Sequence, residues 1–352
     1  MPADNVSFYS KTRNASKIIV VDLGFLGDTV HLLPSLWELK RNYPDAALHV
    51  MTSPLGCEVL GMAACVEHCW PVEMSRQKRT FRQQRQVIAA VRAEGFDVAF
   101  NFSAADRPLI MTWMTGAKRR ISYAGGRPHF WKKWLMTDWM EPRLPTNPVF
   151  ERRRQMLASC GLVLGAVRFG LEPSQADKNW AAQTVPQGAF HFSLNASTPL
   201  KEWPVEHWIK LARLMWAARP EIRIVATTRN QPRERARLDA FANTLKGNRL
   251  ETFMDLTIPR LTALIQGCAL HVGQDSGVLH IATASDVSSV SLFRDSAGVA
   301  GWLPQGEKHV SLVVNCPCLQ QQSSDCSSKV NPVCLANLFP EDVMESIPIQ
   351  NK

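Results

Sequence analysis

The sequence predicts an α/β protein made of two doubly wound parallel-sheet units in tandem, and three observations carry that expectation. From Lys17 onward, short β-rich runs alternate with amphipathic helical stretches, the rhythm of parallel strands joined by crossover helices. That rhythm breaks off in an irregular, Pro-rich interval and restarts near Ala189. The length, 352 residues, is enough for two domains that each bury their own core.

In chain order, Lys17 to Asp22 (KIIVVD) reads as a buried strand, Thr29 to Asn42 as a helix, Ala47 to Met51 as a strand and Asp97 to Phe102 (DVAFNF) as another. Glu141 to Pro148 (EPRLPTNP) breaks structure, Val149 to Cys160 has a helical pattern, and Glu172 to Gly188 is polar and loop-like. The second set has strands at Ala189 to Leu194, Ile222 to Thr227, Ala269 to Gly273 and Ser288 to Phe293, with a helix over Pro204 to Arg219. Pro340 to Ile347 suits a short closing helix, free to pack back on the first domain. These expectations put domains at 1–175 and 176–352 with a hinge near 173–188. They also face the carboxyl ends of both sheets, where open α/β sheets bind ligands, toward one cleft.

Apolar residues make up 45% and charged residues 20%, an ordinary globular balance that excludes wholesale disorder. Forty Lys and Arg against thirty-one Asp and Glu leave a net charge of +9, which suits an anionic partner as well as plain solubility. The first sixteen residues are polar, and no apolar run approaches the roughly 18 residues of a membrane span, so the expected location is cytoplasmic. Nine cysteines without a secretion signal read as thiols or metal ligands rather than a disulfide framework.

Three segments carry candidate chemistry. In Asp22-Leu-Gly-Phe-Leu-Gly-Asp28, after the first strand, Gly24 and Gly27 allow a tight turn and close approach of a ligand. Asp28 then reads either as the cap of the following helix or as a general base at the end of a strand. The spacing is not the G-x-G-x-x-G dinucleotide fingerprint, which disfavours a dehydrogenase. Asn195-Ala-Ser-Thr-Pro-Leu-Lys201-Glu-Trp-Pro204 sets Lys201 beside Ser197 and Thr198 in a loop after a strand, as a phosphate clamp or as a solvated charge. Gly273-Gln-Asp275-Ser276-Gly277-Val-Leu-His280 runs from a strand into a helix N-terminus. The N–H groups of Ser276 and Gly277, the Ser276 hydroxyl and the helix dipole there suit a diphosphate, with Asp275 on sugar hydroxyls and His280 near a phosphate. A capped helix with a buried histidine is the plainer alternative.

The segments GFLGDTVHLLPSL, ASTPLKEWP and GQDSGVLHIA, in that order, resemble the ADP-heptose:lipopolysaccharide heptosyltransferases of glycosyltransferase family 9, and the likeness runs from Lys17 to about Val343. The resemblance implies a GT-B fold of two Rossmann-like domains, with the acceptor on the first and the nucleotide-sugar on the second. It implies Asp28 as general base, Lys201 on the donor phosphate, Ser197, Thr198, Asp275, Ser276, Gly277 and His280 lining the donor pocket, and Glu234 on the ribose. The acceptor side would hold Gly27 and Asp28. The chain departs from the family at Asp22, where a basic residue is common, and at Thr227-Thr-Arg-Asn230, where a Gly-rich turn is usual.

The implied reaction is an inverting transfer of heptose from ADP-heptose to an anionic lipopolysaccharide-core acceptor of the Kdo-lipid A type. No metal is required, since no DxD-like carboxylate pair stands near these loops and Lys201 with the Ser276 and Gly277 amides can stabilise the leaving diphosphate. The same fold and mechanism would also serve another nucleotide-sugar or a protein acceptor, and a reading of a different class is a non-catalytic nucleotide or polyanion binder.

Arg76, Lys78, Arg79, Arg82, Arg85 and Arg92 lie in one expected helix, either a solvated face or a docking strip for the acceptor. Lys118, Arg119, Arg120, Arg127, Lys132 and Lys133 interleave with Tyr123, Phe130, Trp131, Trp134 and Trp139. That pattern suits single-stranded nucleic acid too, but here the expected partners are the acceptor and the inner-membrane surface, held peripherally, with no nucleic acid. Cys316, Cys318, Cys326 and Cys334 offer four sulfurs for a structural iron or zinc, or are simply buried thiols. Cys57, Cys65 and Cys69 form a looser group with only His68 nearby in sequence.

Overall fold

A computed structural model describes residues 7–73, 78–125, 130–140, 148–296, 298–316, 318 and 332–347, with backbone alone for 78–84. The chain divides into two compact units, Met1–Glu172 and Pro173–Lys352.

The first unit opens with α1 (Phe8–Thr12), capped by the Ser7 hydroxyl. It continues through β1 (Lys17–Val21), α2 (Leu26–Asn42), β2 (Ala47–Thr52), α3 (Pro54–Leu60), β3 (His68–Pro71), α4 (Lys78–Ala93) and β4 (Val98–Asn101). It closes with α5 (Asp106–Met114), β5 (Arg119–Tyr123), α6 (Lys132–Leu135), β6 (Asp138–Met140) and α7 (Val149–Ser159). The strands form one sheet in the order β3-β2-β1-β4-β5-β6, parallel at every pairing. β1 is central, and Ile18, Ile19, Val20 and Val21 are all buried, as a strand covered on both faces requires.

The second unit runs α8 (Gln175–Thr184), β7 (Phe190–Ser193), α9 (Val205–Ala218), β8 (Ile224–Thr228), α10 (Pro232–Leu245) and β9 (Leu250–Met254). Then come α11 (Ile258–Gln266), β10 (Leu270–Gln274), α12 (Gly277–Ala284), β11 (Ser289–Arg294), β12 (His309–Val314), α13 (Val333–Ala336) and α14 (Pro340–Glu345). Its sheet has the order β12-β11-β10-β7-β8-β9, again parallel. Counted from each unit's first strand, both sheets read 3-2-1-4-5-6, the Rossmann order. In that order the winding direction reverses between the first and fourth strands, where ligands bind. β1 and β4 flank that point in the first unit, and β7 and β10 in the second.

Several expectations need correction. α2 starts at Leu26, three residues before Thr29, which puts Pro34 in the helix interior. The stretch from Glu172 to Gly188, expected as loop, contains α8. Ser174 accepts from the Asp177 N–H to cap it, Ala181 is buried, and Trp180 packs edge-on against Phe253, 5.9 Å between centroids. The closing helix α14 packs on α9. β3, β5, β6, β9 and β12 are strands the pattern did not single out, most of them short or at sheet edges. Cys57 and Cys69, expected as thiols, are joined by a disulfide, because pairing of β3 with β2 brings Cys69 against α3.

Candidate active site

In the first unit the turn after β1 concentrates charge. The Asp22 N–H donates to the Met51 carbonyl at 3.0 Å, which continues the ladder one residue past the strand. Asp28 sits in the first turn of α2, where its Oδ2 accepts from the Phe25 N–H at 2.9 Å. Phe25, not Asp28, is the N-cap residue, and it makes no side-chain cap bond. A carboxylate in this first turn is favoured by the helix dipole. Gly24 is demanded by close approach, since a Cβ there would stand 2.3 Å from the Asp28 Cβ.

Arg153, on α7, completes this cluster. Its Nη1 donates to the Asp28 carbonyl at 2.7 Å, and its Nη2 lies 3.4 Å from Asp28 Oδ1 and 3.7 Å from Asp22 Oδ1. Burial pushes the Asp22 carboxyl above its ordinary value, the Arg153 charge opposes that, and the Asp28 charge adds to it. Sequence reasoning missed Arg153, because nothing local marks it among Arg152, Arg153 and Arg154. Its contact with Asp28 spans 125 positions.

The basic residues expected on the acceptor side do not gather together. Arg76 lies outside the described residues. Lys78, Arg79 and Arg82 fall in the opening turns of α4. That helix ends near the start of β1, where Lys17 Nζ donates to the Glu94 carbonyl at 3.2 Å, so its opening turns lie on the strand-end side with Asp28. Arg119 and Arg120 are at the other end. Register sets Arg119 opposite Val98 and Val98 opposite Ile18, four residues before Asp22 and so about 13 Å along the strand. Arg119 pairs with Asp138 at 3.6 Å, and Arg120 donates to the Leu135 and Ala117 carbonyls at 2.7 Å each. The structure does not bring these two to Asp28. Strand starts and strand ends lie on opposite sides of a sheet, so basic residues close in sequence do not form one patch here.

In the second unit the expected donor residues converge at the ends of β7, β8 and β10. Ser197 and Thr198 are exposed in the loop after β7. Thr198 accepts from the Lys201 N–H at 3.1 Å, opening a 3-10 turn over Pro199–Lys201. Lys201 Nζ reaches Asp275 Oδ2 at 2.6 Å, joining the loops after β7 and β10. The loop is braced from below. Trp203 is fully buried, with its N–H on Gln274 Oε1 at 2.5 Å and its Nε1 on the Leu338 carbonyl at 2.9 Å. Buried Glu202 accepts from the Ala196 N–H at 3.1 Å and from Arg233.

Ser276 caps α12 by position but makes no cap hydrogen bond, and its Oγ, buried, meets no partner in the structure. No acidic residue stands in the first turn of α12, which starts at Gly277. The first-turn N–H groups of this helix therefore lack a side-chain cap and stand beside the Lys201–Asp275 ion pair, an arrangement that can take an anion. His280, one turn further on, is buried. Burial pulls its pKa down to about 4 despite Asp275, so it is a neutral donor or acceptor at physiological pH. Glu234 sits in the first turn of α10 with both oxygens engaged: Oε1 takes Arg229 Nη2 at 3.0 Å, while Oε2 faces the Arg229 N–H at 3.3 Å and Thr228 Oγ1 at 3.4 Å. Beneath these loops, His191 Nδ1 lies 2.8 Å from His271 Nδ1, and His191 Nε2 2.8 Å from Thr227 Oγ1. Gly273 leaves room for this pair, since a Cβ there would stand 2.3 Å from His271 Nε2.

Among the described residues no group of three or more His, Cys, Asp or Glu is placed to hold a metal ion. Cys316 and Cys334 are buried in the apolar core of the second unit and Cys318 packs against it. Cys326 lies outside the described residues.

The model of glycosyltransferase family 9 (heptosyltransferase) matches residues 84–331, well over half of the chain. The chain belongs to glycosyltransferase family 9. The matched span of this glycosyltransferase contains Arg153, Lys201, Glu234 and the Asp275–His280 segment, while Asp28 lies upstream of it. Lipopolysaccharide heptosyltransferase 1 of Pseudomonas aeruginosa is 22% identical, over 93% of this chain and 96% of its own. Two solved structures share the fold over 94% of this chain. One is a family 9 glycosyltransferase from Veillonella parvula (TM-score 0.77, 17% identity, 95% of its chain covered). The other is the E. coli heptosyltransferase WaaC with ADP-2-deoxy-2-fluoro heptose (TM-score 0.73, 16% identity, 98% covered). The fold is GT-B.

Proposed function

We propose that this family 9 enzyme is an inverting heptosyltransferase that moves a heptose from ADP-heptose to a lipopolysaccharide inner-core acceptor of the Kdo-lipid A type. The observation that carries the reading is the open N-terminus of α12, with the unpartnered Ser276 hydroxyl, beside Lys201 at 2.6 Å from Asp275. That is a diphosphate site at a Rossmann switch point.

In the proposed reaction Asp28 takes the proton of the acceptor hydroxyl as its oxygen attacks the anomeric carbon from the face opposite the diphosphate. The bond from that carbon to the diphosphate oxygen breaks, and ADP leaves with the electron pair. Lys201 and the Ser276 and Gly277 amides meet the charge that develops on the leaving phosphate, so the mechanism needs no metal ion. Asp275, freed from Lys201 by the phosphate, turns to sugar hydroxyls, and His280 stays neutral near the phosphate. Ribose recognition by Glu234 would exchange its present bonds to Arg229 and Thr228 for ribose hydroxyls. That engagement also favours a second reading, in which the same mechanism uses a different nucleotide-sugar.

No helix among the described residues is long and apolar enough to cross a membrane. A peripheral position at the inner membrane is supported by exposed Trp134 and Phe130, 83% and 79% accessible, next to exposed Lys133.

The test is nucleotide release from a panel of ADP-, UDP- and GDP-sugars with Kdo-lipid A, in the presence and absence of chelator. Release from ADP-heptose alone, indifferent to chelator, is expected. Release from another donor would keep the mechanism and replace the substrate, and a donor bound but never turned over would favour a binding protein.

A further inference from the structure

We propose that Asp22 and Arg153 act as a coupled pair of positioning residues for Asp28, with Asp22 dividing the attraction of Arg153 so that Asp28 is held in place without being tied up. The inference rests on the reading of Asp28 as general base.

The geometry begins with α7. Arg154 is buried and donates through Nε and Nη2 to Glu38 Oε1 of α2, at 3.1 and 2.8 Å, and Glu38 accepts in turn from the Gly165 N–H. This buried pair locks α7 onto α2, and the next residue along, Arg153, is thereby aimed at the opening turns of α2. Its side chain is only 11% exposed, so its direction is set by packing rather than by solvent. One guanidinium nitrogen then lies within 4 Å of two carboxylates, while the other holds the Asp28 carbonyl.

The Asp22 carboxylate is only partly satisfied. Its side chain is 12% exposed, its Oδ2 is buried without a hydrogen-bond partner, and its neighbours are Arg153, Asp28, the Gly24 N–H and the Thr29 hydroxyl. A buried carboxylate so poorly satisfied costs stability. Because burial raises its pKa above the unfolded value, whatever it contributes to stability is present below about pH 3.8 and lost as pH rises through the folded value. At neutral pH an amide should fold at least as well. A residue that weakens the fold while sharing the cation of a candidate base is the pattern of a site selected for function over stability.

Without the Asp22 charge, Arg153 would pair with Asp28 alone, and a base locked in an ion pair is both displaced and less able to take a proton. Misplacement of this kind costs up to about 100-fold in rate. The test compares D22N, R153K, R153M, D22N/R153M and D28N in ADP release from ADP-heptose with Kdo-lipid A, together with thermal midpoints. D22N is expected to lower kcat about 10- to 100-fold, with donor KM within about twofold and the midpoint unchanged or higher. R153K should lie between wild type and R153M, and the double variant should fall no further than R153M alone, as coupled residues do. Wild-type kcat in D22N, a fall in kcat that tracks a fall in midpoint, or multiplying effects in the double variant would overturn the proposal. Turnover surviving in D28N would instead overturn the base reading, and this proposal with it. A readout that needs no turnover is the 13C carboxyl resonance of Asp28, assigned by its loss in D28N. It should move in both D22N and R153M, and a resonance indifferent to D22N contradicts the coupling.

Discussion

The two units share one strand order and put their polar loops at the same place in it, yet the helix that follows the first strand of one and the fourth strand of the other are finished in opposite ways. The N-terminus of α2 is already occupied by negative charge, with Asp28 in its first turn and Asp22 behind it, both drawn to one Arg153. The first turn of α12 carries no acidic side chain, its Ser276 makes no cap bond, and the Asp275 carboxylate just before it is paired with Lys201. The same piece of backbone electrostatics is thus spent on holding a carboxylate in one unit and left open for an anion in the other. On the proposed reading, a difference of two or three residues at a strand–helix junction separates a base from a diphosphate site.

The sharpest way to break that comparison is to remove the proposed base. D28N is expected to lower turnover by about 100- to 10,000-fold, measured as nucleotide release, with the fold retained. On the other side, K201M should lower kcat/KM by about 100- to 1,000-fold, as the loss of one charge-stabilising group does, and should weaken ADP binding in direct titration.

Acidification should separate the units by stability rather than activity. His191 and His280, in the second unit, are pulled down to about 3 and about 4 by burial. Both therefore take up protons on unfolding at acid pH, and their stabilising effect is complete above about pH 6.5 and declines below it. At pH 5 the loss approaches about 2 kcal/mol for each. In the first unit burial raises Asp97 but hydrogen bonds from Lys118, Ser16 and Lys17 outweigh it, leaving its pKa at about 2. That contribution is intact above about pH 3.8 and is lost only as pH falls through about 2. Hydrogen exchange from pH 7 to pH 4.5 should show the second unit loosening first, and simultaneous loosening would contradict the assignment.

A smaller effect is expected from G24A. Its Cβ would displace the Asp28 side chain, which should cost about 1–3 kcal/mol as other overpacking changes do and lower kcat more than donor affinity. Equal loss of both would mean that the turn after β1 also serves the donor.

Much of this was legible in the sequence because it is local. β1, the turn carrying Asp28 and the strand-to-helix passage from Gly273 to His280 are each written in consecutive residues, whereas the 2.6 Å ion pair of Lys201 with Asp275 appears only once β7 and β10 lie side by side. What was not legible depends on pairing across distance. Arg153 reaches Asp28 only because α7 docks on α2. Arg119 and Arg120 looked like part of a basic surface until β-register set them at the strand starts. The Cys57–Cys69 disulfide follows from the seating of β3, a short strand that ends in Pro71. The His191–His271 pair is hidden for a similar reason, since two histidines on separate strands show no pattern until β7 and β10 lie side by side. The sequence of α8 resembles loop because, polar and weakly amphipathic, it hides one buried contact behind many solvated residues.

The central claim is that proton removal belongs to the first unit and donor recognition to the second. Titration of ADP-heptose into wild type and D28N by calorimetry, alongside turnover of the same preparations, tests it most directly. The expected result is the same donor affinity in both proteins with turnover lost in D28N. Donor binding that disappears with the Asp28 carboxylate, or turnover that survives without it, would contradict the division.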